Sequence, residues 1–465
     1  MSVVILLLAL GLLMLVAYRG YSVILFAPIC ALLAVVATDP ALVAPAYTSV
    51  FMDRLANFVK LYFPVFMLGA VFGKVIELSG FSKAIVSSIV RLVGPTRAML
   101  SIVLVCAVMT YGGVSLFVVV FAVYPFAAEL FRQVDIPKRL IPGTIALGAF
   151  TFTMDALPGT PQIQNIIPTT FFQTNTWAAP WLGVVGATFI FITGMAYLEF
   201  MRRRAASAGE GYATSGQKLE NEPEPFEEER LPNAALAILP LILVFVLNRV
   251  FTDLIPVAYG DTFQFALGNE PPTAIAIAKI AAIWAVIGAL IAGILFVVVS
   301  SFKTIRLRFA DGTKLAIAGA LLATMNTASE YGFGGVVAAL PGFEVVRSAL
   351  EAIPNPLINE AVTVTVLAGI TGSASGGMSI ALAAMADQFI ANANAAGIPL
   401  EVLHRVASMA SGGMDTLPHN GAVITLLAVT GLTHRQSYKD IFAITIIKTL
   451  AVGVIIAFYY LTGIY

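Results

Sequence analysis

Two aspartates stand where ionised groups are costly. Asp155 in Met154-Asp-Ala-Leu-Pro158 and Asp415 in Met414-Asp-Thr-Leu-Pro418 each lie in an apolar run, with a proline three positions on. Proline breaks the helical hydrogen-bond ladder and frees carbonyls, so both runs read as interrupted helices. A carboxylate at membrane depth beside such a break suits proton carriage or substrate binding, and the plainer role of capping a half-helix is compatible with either. Thr160, Pro161, Gln162 and Asn165 follow the first break and His419 and Asn420 the second, a density of polar groups that lipid does not accept. His419 titrates in the range needed for proton handling, with a hydrogen-bonded structural histidine as the alternative. Glu330, in Asn326-Thr-Ala-Ser-Glu-Tyr-Gly332, is a further candidate proton carrier, against the alternative of an interhelical hydrogen bond.

Two glycine-rich stretches complete the polar set: Thr110-Tyr-Gly112-Gly113-Val-Ser115 and Thr371-Gly-Ser373-Ala-Ser375-Gly376-Gly377-Met-Ser379. Each interrupts about 33 residues of apolar sequence near its middle, too long for one crossing and short for two. A re-entrant hairpin fits, with glycine letting backbone N–H groups approach a ligand and the following helix directing its positive end there. Gly112, Gly113, Ser115, Thr160, Asn165, Ser373, Ser375, Gly376, Gly377, Ser379, His419 and Asn420 are therefore expected to bind substrate. Asp155, Asp415 and Glu330 are expected to couple it to a proton. No Lys or Arg is expected inside these four elements, so an anion would be held by helix N-termini and hydroxyls. Lys74, Lys279 and Lys448 read as cations snorkelling to an interface, and Arg347 and Glu360 as interface residues beside the second hairpin.

The elements that must hold these groups recur in order. Phe333-Gly-Gly-Val lies 261 positions after Phe72-Gly-Lys-Val, Gly376-Gly-Met-Ser 264 after Gly112-Gly-Val-Ser, and Met414-Asp-Thr-Leu-Pro 260 after Met154-Asp-Ala-Leu-Pro. One such match is unremarkable in a glycine-rich apolar chain, but three in register mark an internal duplication.

Composition sets the solvent. Over 465 residues 59% are apolar and 11% charged, and the mean hydropathy is +0.92, outside the range of water-soluble domains. Lys+Arg and Asp+Glu are both 26, so no nucleic-acid partner is indicated, and only the placement of cations is informative. Cys30 and Cys106 sit in apolar runs and read as core residues, and no motif asks for a cofactor or metal. Spans are expected at about 3–18, 21–38, 57–79, 139–156, 177–198, 233–251, 273–300, 315–339, 404–430 and 441–462, with hairpins at 98–131 and 357–390. The first run has no basic leader and is read as a retained span.

Basic residues then fix the threading. Lys83, Arg91 and Arg97 precede the first hairpin and Arg132, Lys138 and Arg139 follow it. The segments 201–204, 303–314 and 435–439 are also cationic, whereas 39–53, 171–176, 252–272 and 391–403 carry almost no Lys or Arg. The expected fold is an all-α polytopic membrane protein with an inverted-topology repeat of two five-span halves, 1–200 and 233–465. Each half has one re-entrant hairpin and one interrupted helix, the broken helices covering about 139–170 and 404–430. The acidic segment 201–232 reads as a solvated cytoplasmic linker. Five crossings per half invert the second copy, which is the logic of alternating access about a midplane site.

Gly369–Met385 and the stretch Ser408–Leu432, which opens Ser-Met-Ala-Ser-Gly-Gly-Met-Asp-Thr-Leu-Pro-His-Asn-Gly, resemble the gluconate permease (GntP) family of the ion transporter superfamily, and the likeness runs through nearly the whole chain. Within that family Ser408–Leu432 is more similar to the 3-hydroxybutyrate-type permeases than to the gluconate carriers. The resemblance implies proton symport of a small hydroxy-carboxylate, such as gluconate, a related sugar acid or 3-hydroxybutyrate. It also implies a homodimer with an elevator-like transport domain, in a bacterial inner membrane. Sodium-coupled dicarboxylate carriers of the superfamily have Ser-Asn-Thr hairpin tips, which this chain replaces with Gly-Gly-Val-Ser and Ser-Gly-Gly-Met-Ser. Sodium coupling keeps a route through backbone carbonyls at broken helices. An intramembrane aspartyl protease built on Asp155 and Asp415 would leave the duplicated tips without a use, and a passive channel lacks charged pore rings.

Overall fold

The structure, a computed structural model, describes residues 2–19, 21–94, 97–213, 220–223, 231–266, 268, 272–351, 353–418 and 420–465. Two apolar helices open the chain, α1 (Ser2–Tyr18) and α2 (Val23–Thr38). A 3-10 turn at Pro40–Leu42, the short α3 (Val43–Ala46) and a π segment at Tyr47–Phe51 then run without a break into α4 (Met52–Leu78). Segment 39–53, expected to be a loop, is thus helical from Pro40 on, with Pro40 itself in the first turn, where no donor is lost. An amphipathic α5 (Phe81–Val93) leads to the first hairpin, α6 (Ala98–Tyr111) and α7 (Leu116–Gln133). The first interrupted helix follows as α8 (Leu140–Ala149), α9 (Phe152–Asp155) and α10 (Ile163–Phe172), and then the long α11 (Pro180–Ser207).

The second set repeats this order. Helices α12 (Ala234–Tyr259), α13 (Ala281–Ser300), the short α14 (Phe302–Ile305) and α15 (Phe309–Ala339) lead to the amphipathic α16 (Pro341–Glu351). The second hairpin is α17 (Pro356–Thr371) and α18 (Ala374–Ala395), the second interrupted helix α19 (Leu400–Ser411) and α20 (Gly421–Thr430), and α21 (His434–Thr462) closes the chain. Two boundaries differ from expectation. Helix α12 continues to Tyr259 through residues assigned to a loop, and the expected span at 273–300 starts only at Ala281. Its first residues form β2 (Thr273–Ala276), paired antiparallel with β1 (Thr262–Phe265) so that Thr262 faces Ala276. The alternation Thr-Ala-Ile-Ala suits a strand, and Tyr259 meets both Phe263 and Trp284 edge-to-face at this rim, where aromatic side chains favour a membrane boundary.

Packing is matched between the halves. Helix α4 lies along α15; α2 packs on α15 and α13 on α4; α1 packs on α16 and α12 on α5. Within the hairpin layers α6 meets α8 and α17 meets α19, while across the halves α10 meets α18 and α7 meets α20. Among the described residues, five helical stretches are long and apolar enough to cross a bilayer. In the most hydrophobic, Ala281–Ser300, only 44% of the window is buried inside the protein, so most of an apolar helix faces outward. Water would not tolerate that surface and lipid does: the protein is an all-α polytopic membrane protein. Cys30 and Cys106 are buried and unpaired, as core residues should be.

The segment between the halves is not a free tether where it is described. Glu210 accepts from Arg139 Nε at 2.6 Å, Lys138 Nζ reaches Glu222 at 2.7 Å, Arg132 also pairs with Glu222, and Asn221 Nδ2 donates to the Ala428 carbonyl at 2.7 Å. Partial burial pushes the Glu222 carboxyl up, but the hydrogen bonds from Lys138 and Arg132 outweigh it and hold the group below the usual carboxylate range. The acidic composition that resembles disorder is neutralised by basic residues far off in sequence.

Candidate functional site

The hairpin tips and helix breaks produce four helix starts: α7 after Ser115, α10 after Gln162, α18 after Ser373 and α20 after Asn420. All four of these N-cap residues line one cavity of about 1300 Å³. Ser373 Oγ accepts from the Gly376 N–H at 3.0 Å and Asn420 Oδ1 from the Val423 N–H at 2.8 Å, whereas α7 and α10 have no side-chain cap. Four partial positive charges therefore converge on one space. Lys74 and Lys83 also line it, together with Pro223 of the segment joining the halves.

Polar side chains tie each break to the tip of its own half. Gln162 Nε2 donates to the Thr110 carbonyl at 2.7 Å and the Val114 carbonyl at 3.3 Å, and Asn420 Nδ2 donates to the Gly372 carbonyl at 2.7 Å. Gly113 has φ +94°, which a side chain would strain, and a Cβ there would stand 3.2 Å from Pro161 Cγ. At Gly377 a Cβ would overlap the Ala368 backbone, so this glycine lets the two arms of the second hairpin close.

The acids differ in setting. Asp415 lines the cavity and accepts from Lys448 Nζ at 2.5 Å; Lys448 is 2% exposed and also donates to the Phe150 carbonyl at 3.2 Å. Asp155 is buried outside the cavity wall. Neither of its carboxyl oxygens has a hydrogen-bond partner, and a Cβ on Gly412 would overlap one of them. Glu330 lines the cavity with Oε2 unpartnered. Among the described residues no cluster of His, Cys, Asp and Glu is arranged to hold a metal ion.

No family model matches the chain. It is 58% identical over 470 residues, the whole of both chains, to the uncharacterized transporter YxjC of Bacillus subtilis (strain 168). This chain belongs to that transporter family. The YdaH transporter of Alcanivorax borkumensis, solved by crystallography and described as having an unusual topology, superposes with a TM-score of 0.52 over 90% of each chain. At 15% identity it supports the fold alone.

In this YxjC-family transporter the cavity wall gathers Gly113, Ser115, Ser373, Ser375, Asn420, Asp415 and Glu330 from the residues expected by sequence. The other described ones stand behind it. Gly112 faces Leu241 of α12, Gly376 faces Glu330, and Ser379 is buried with its hydroxyl unpartnered. Thr160 Oγ1 donates to the Thr153 carbonyl at 2.8 Å, and Asn165 Nδ2 donates to the Thr160 and Thr176 carbonyls at 2.9 and 2.8 Å. His419 lies outside the described residues.

Three readings of charge are corrected. Arg405 is embedded in α19, fully buried, donating to Asn165 Oδ1 at 3.0 Å and to the Asp155 and Ala178 carbonyls at 3.2 and 2.7 Å. Its neighbour His404 donates from Nε2 to Asn165 Oδ1 at 3.1 Å and accepts the Thr174 hydroxyl at Nδ1, 2.6 Å away. Lys448 does not snorkel but serves Asp415. Glu360 is no interface residue: it is fully buried, with both carboxyl oxygens unpartnered, and the Arg347 side chain lies outside the described residues. The sequence signal for Arg405 was its position in an apolar run five residues into α19, and for Lys448 its place in the middle of α21.

Proposed function

We propose that this protein is a secondary active transporter that carries a small hydroxy-carboxylate together with a proton, by elevator-like alternating access. The observation that carries the reading is the convergence of four helix N-termini on one cavity. An anion seated there is held by backbone donors and by the hydroxyls of Ser115, Ser373 and Ser375, with no fixed ion pair to resist release. Gluconate, a related sugar acid and 3-hydroxybutyrate are the substrates favoured by the resemblance of Ser408–Leu432 to the gluconate permease family. Asp415, Asp155 and Glu330 are the proposed proton carriers, since ionisable groups this deep in a membrane protein need a function.

Residues 1–200 and 233–465 form the proposed inverted repeats, joined by a cytoplasmic linker at 201–232. Lys74, Lys83 and Pro223 on the cavity wall support an inward-open state, since basic loops face the cytoplasm. The proposed setting is a bacterial inner membrane and the proposed assembly a homodimer. Uptake of labelled 3-hydroxybutyrate and gluconate into proteoliposomes under an imposed pH gradient tests the reading, with accumulation above equilibrium expected. Accumulation that follows a sodium gradient and ignores pH would replace the proton by sodium. Equilibration without accumulation would describe a channel.

A further inference from the structure

Glu330 projects from α15 to the cavity wall and is 4% exposed. Its Oε2 has no hydrogen-bond partner and points at the first turn of α18, so close that a Cβ on Gly376 would overlap it. Ser373, the N-cap of this 22-residue helix, stands beside the same carboxyl, and its hydroxyl already accepts the Gly376 N–H. An acid from another helix thus occupies the positive end of α18, the kind of seat that a substrate carboxylate would take.

Around it, α18 offers the hydroxyls of Ser373 and Ser375. Helix α4 presents Arg54, stacked over Tyr331, and Tyr62, bonded to Thr170, while the only titratable side chain of α2 is Cys30. Asp415, elsewhere on the cavity wall, already has Lys448 as counter-ion. Lys74, which with Lys83 also lines the cavity, is paired with Glu77.

We propose that Glu330 is a tethered anion that fills the carboxylate seat at the α18 N-terminus, so that a substrate anion binds there only after Glu330 has taken up a proton. The idea rests on the carboxylate-transport reading above and adds the physical link between the two ligands. Ionised, Glu330 competes with the substrate; protonated, it vacates the helix end and can donate to a substrate oxygen. Proton and anion then enter as a neutral pair, and loss of the proton on the other side expels the anion. No bond other than O–H is made or broken.

The test is the affinity of the purified full-length protein for 3-hydroxybutyrate and for gluconate, by titration calorimetry at a series of pH values. For the unmodified protein Kd should rise about tenfold per pH unit along its alkaline limb, the signature of one competing ionisation. Glu330→Gln and Glu330→Ala should flatten that dependence, so that at the alkaline end both bind at least about tenfold more tightly than the unmodified protein. A slope retained in both variants overturns the proposal and leaves carboxylate transport standing. So does loss of binding at every pH from both variants when they elute as folded protein. If the unmodified protein binds neither acid at any pH, the carboxylate reading itself falls and the inference with it.

Discussion

The two interrupted helices share a motif and a backbone shape but not an electrostatic setting. Carbonyls at the first break are taken by side chains from three other elements: Ser408 and Arg405 of α19 donate to Asp155 O, Tyr111 of the first hairpin to Pro158 O, and Asn248 of α12 to Gly159 O. The second break leans on the helix that follows it, with Tyr438 donating to Thr416 O at 3.1 Å and His434 to Pro418 O at 2.9 Å. Asp155 is sealed away from the cavity without a partner, while Asp415 faces the cavity with Lys448 as its counter-ion. One motif thus sits in two settings: at the first break the surrounding side chains brace the backbone, and at the second they leave a charged pair facing the cavity.

That contrast breaks most sharply at Lys448. Lys448→Met strands Asp415 without its counter-ion and should lower stability by about 3–5 kcal/mol, read as a fall in thermal midpoint in detergent. Lys448→Met combined with Asp415→Asn should recover most of the loss, and a failure to recover would show that Lys448 matters through Phe150 instead. Arg405→Met tests the braced side. Loss of its charged hydrogen bonds to backbone and Asn165 should cost about 2–3 kcal/mol, and a transporter as stable as the unmodified protein would mean that the first break holds itself. Asn420→Ala removes both the cap of α20 and the tie to Gly372, an effect of about 1–2 kcal/mol, whereas Gln162→Ala removes a tie alone and should weigh less. Equal losses in the two variants would erase the distinction between the breaks.

The smallest effect concerns the linker. Glu222 has its carboxyl held below the usual range, so its contribution is present above the unfolded value and disappears as pH falls through the lowered one. Glu222→Gln should cost under about 1 kcal/mol near neutral pH, since the pair is partly solvated, and should remove the acid-side dependence of linker protection in hydrogen exchange.

Much of this was legible in the sequence because it depends on backbone. Gly112-Gly113 and the Asp-x-x-Pro runs specify where helices stop, and the turn after Tyr111 and the breaks around Asp155 and Asp415 fall beside them, whereas Gly376-Gly377 lies inside α18 and the second hairpin turns at Gly372-Ser373. Partnerships across the fold were not legible. Lys448 and Asp415 are 33 positions apart and Arg405 and Asn165 240, so nothing local names the partner of a buried cation. Hydrophobicity alone also misjudged Thr273–Ala276, where an alternating pattern forms a strand next to a helix of similar composition. The docked segment around Glu222 carried a disordered composition because its neutralising partners, Arg132 and Lys138, come from the first half.

The interleaving of the halves also bears on how the chain is made. The Asp155 carbonyl receives its guanidinium from a residue synthesised 250 positions later, and α10 and α7 likewise wait for α18 and α20 of the second half. At ribosomal speeds of about 5–20 residues per second, a polar kink stands incomplete in the bilayer for about 12–50 s. During that interval the nascent first half is a natural client for the insertion machinery, and the arrival of Arg405 is the event that closes it.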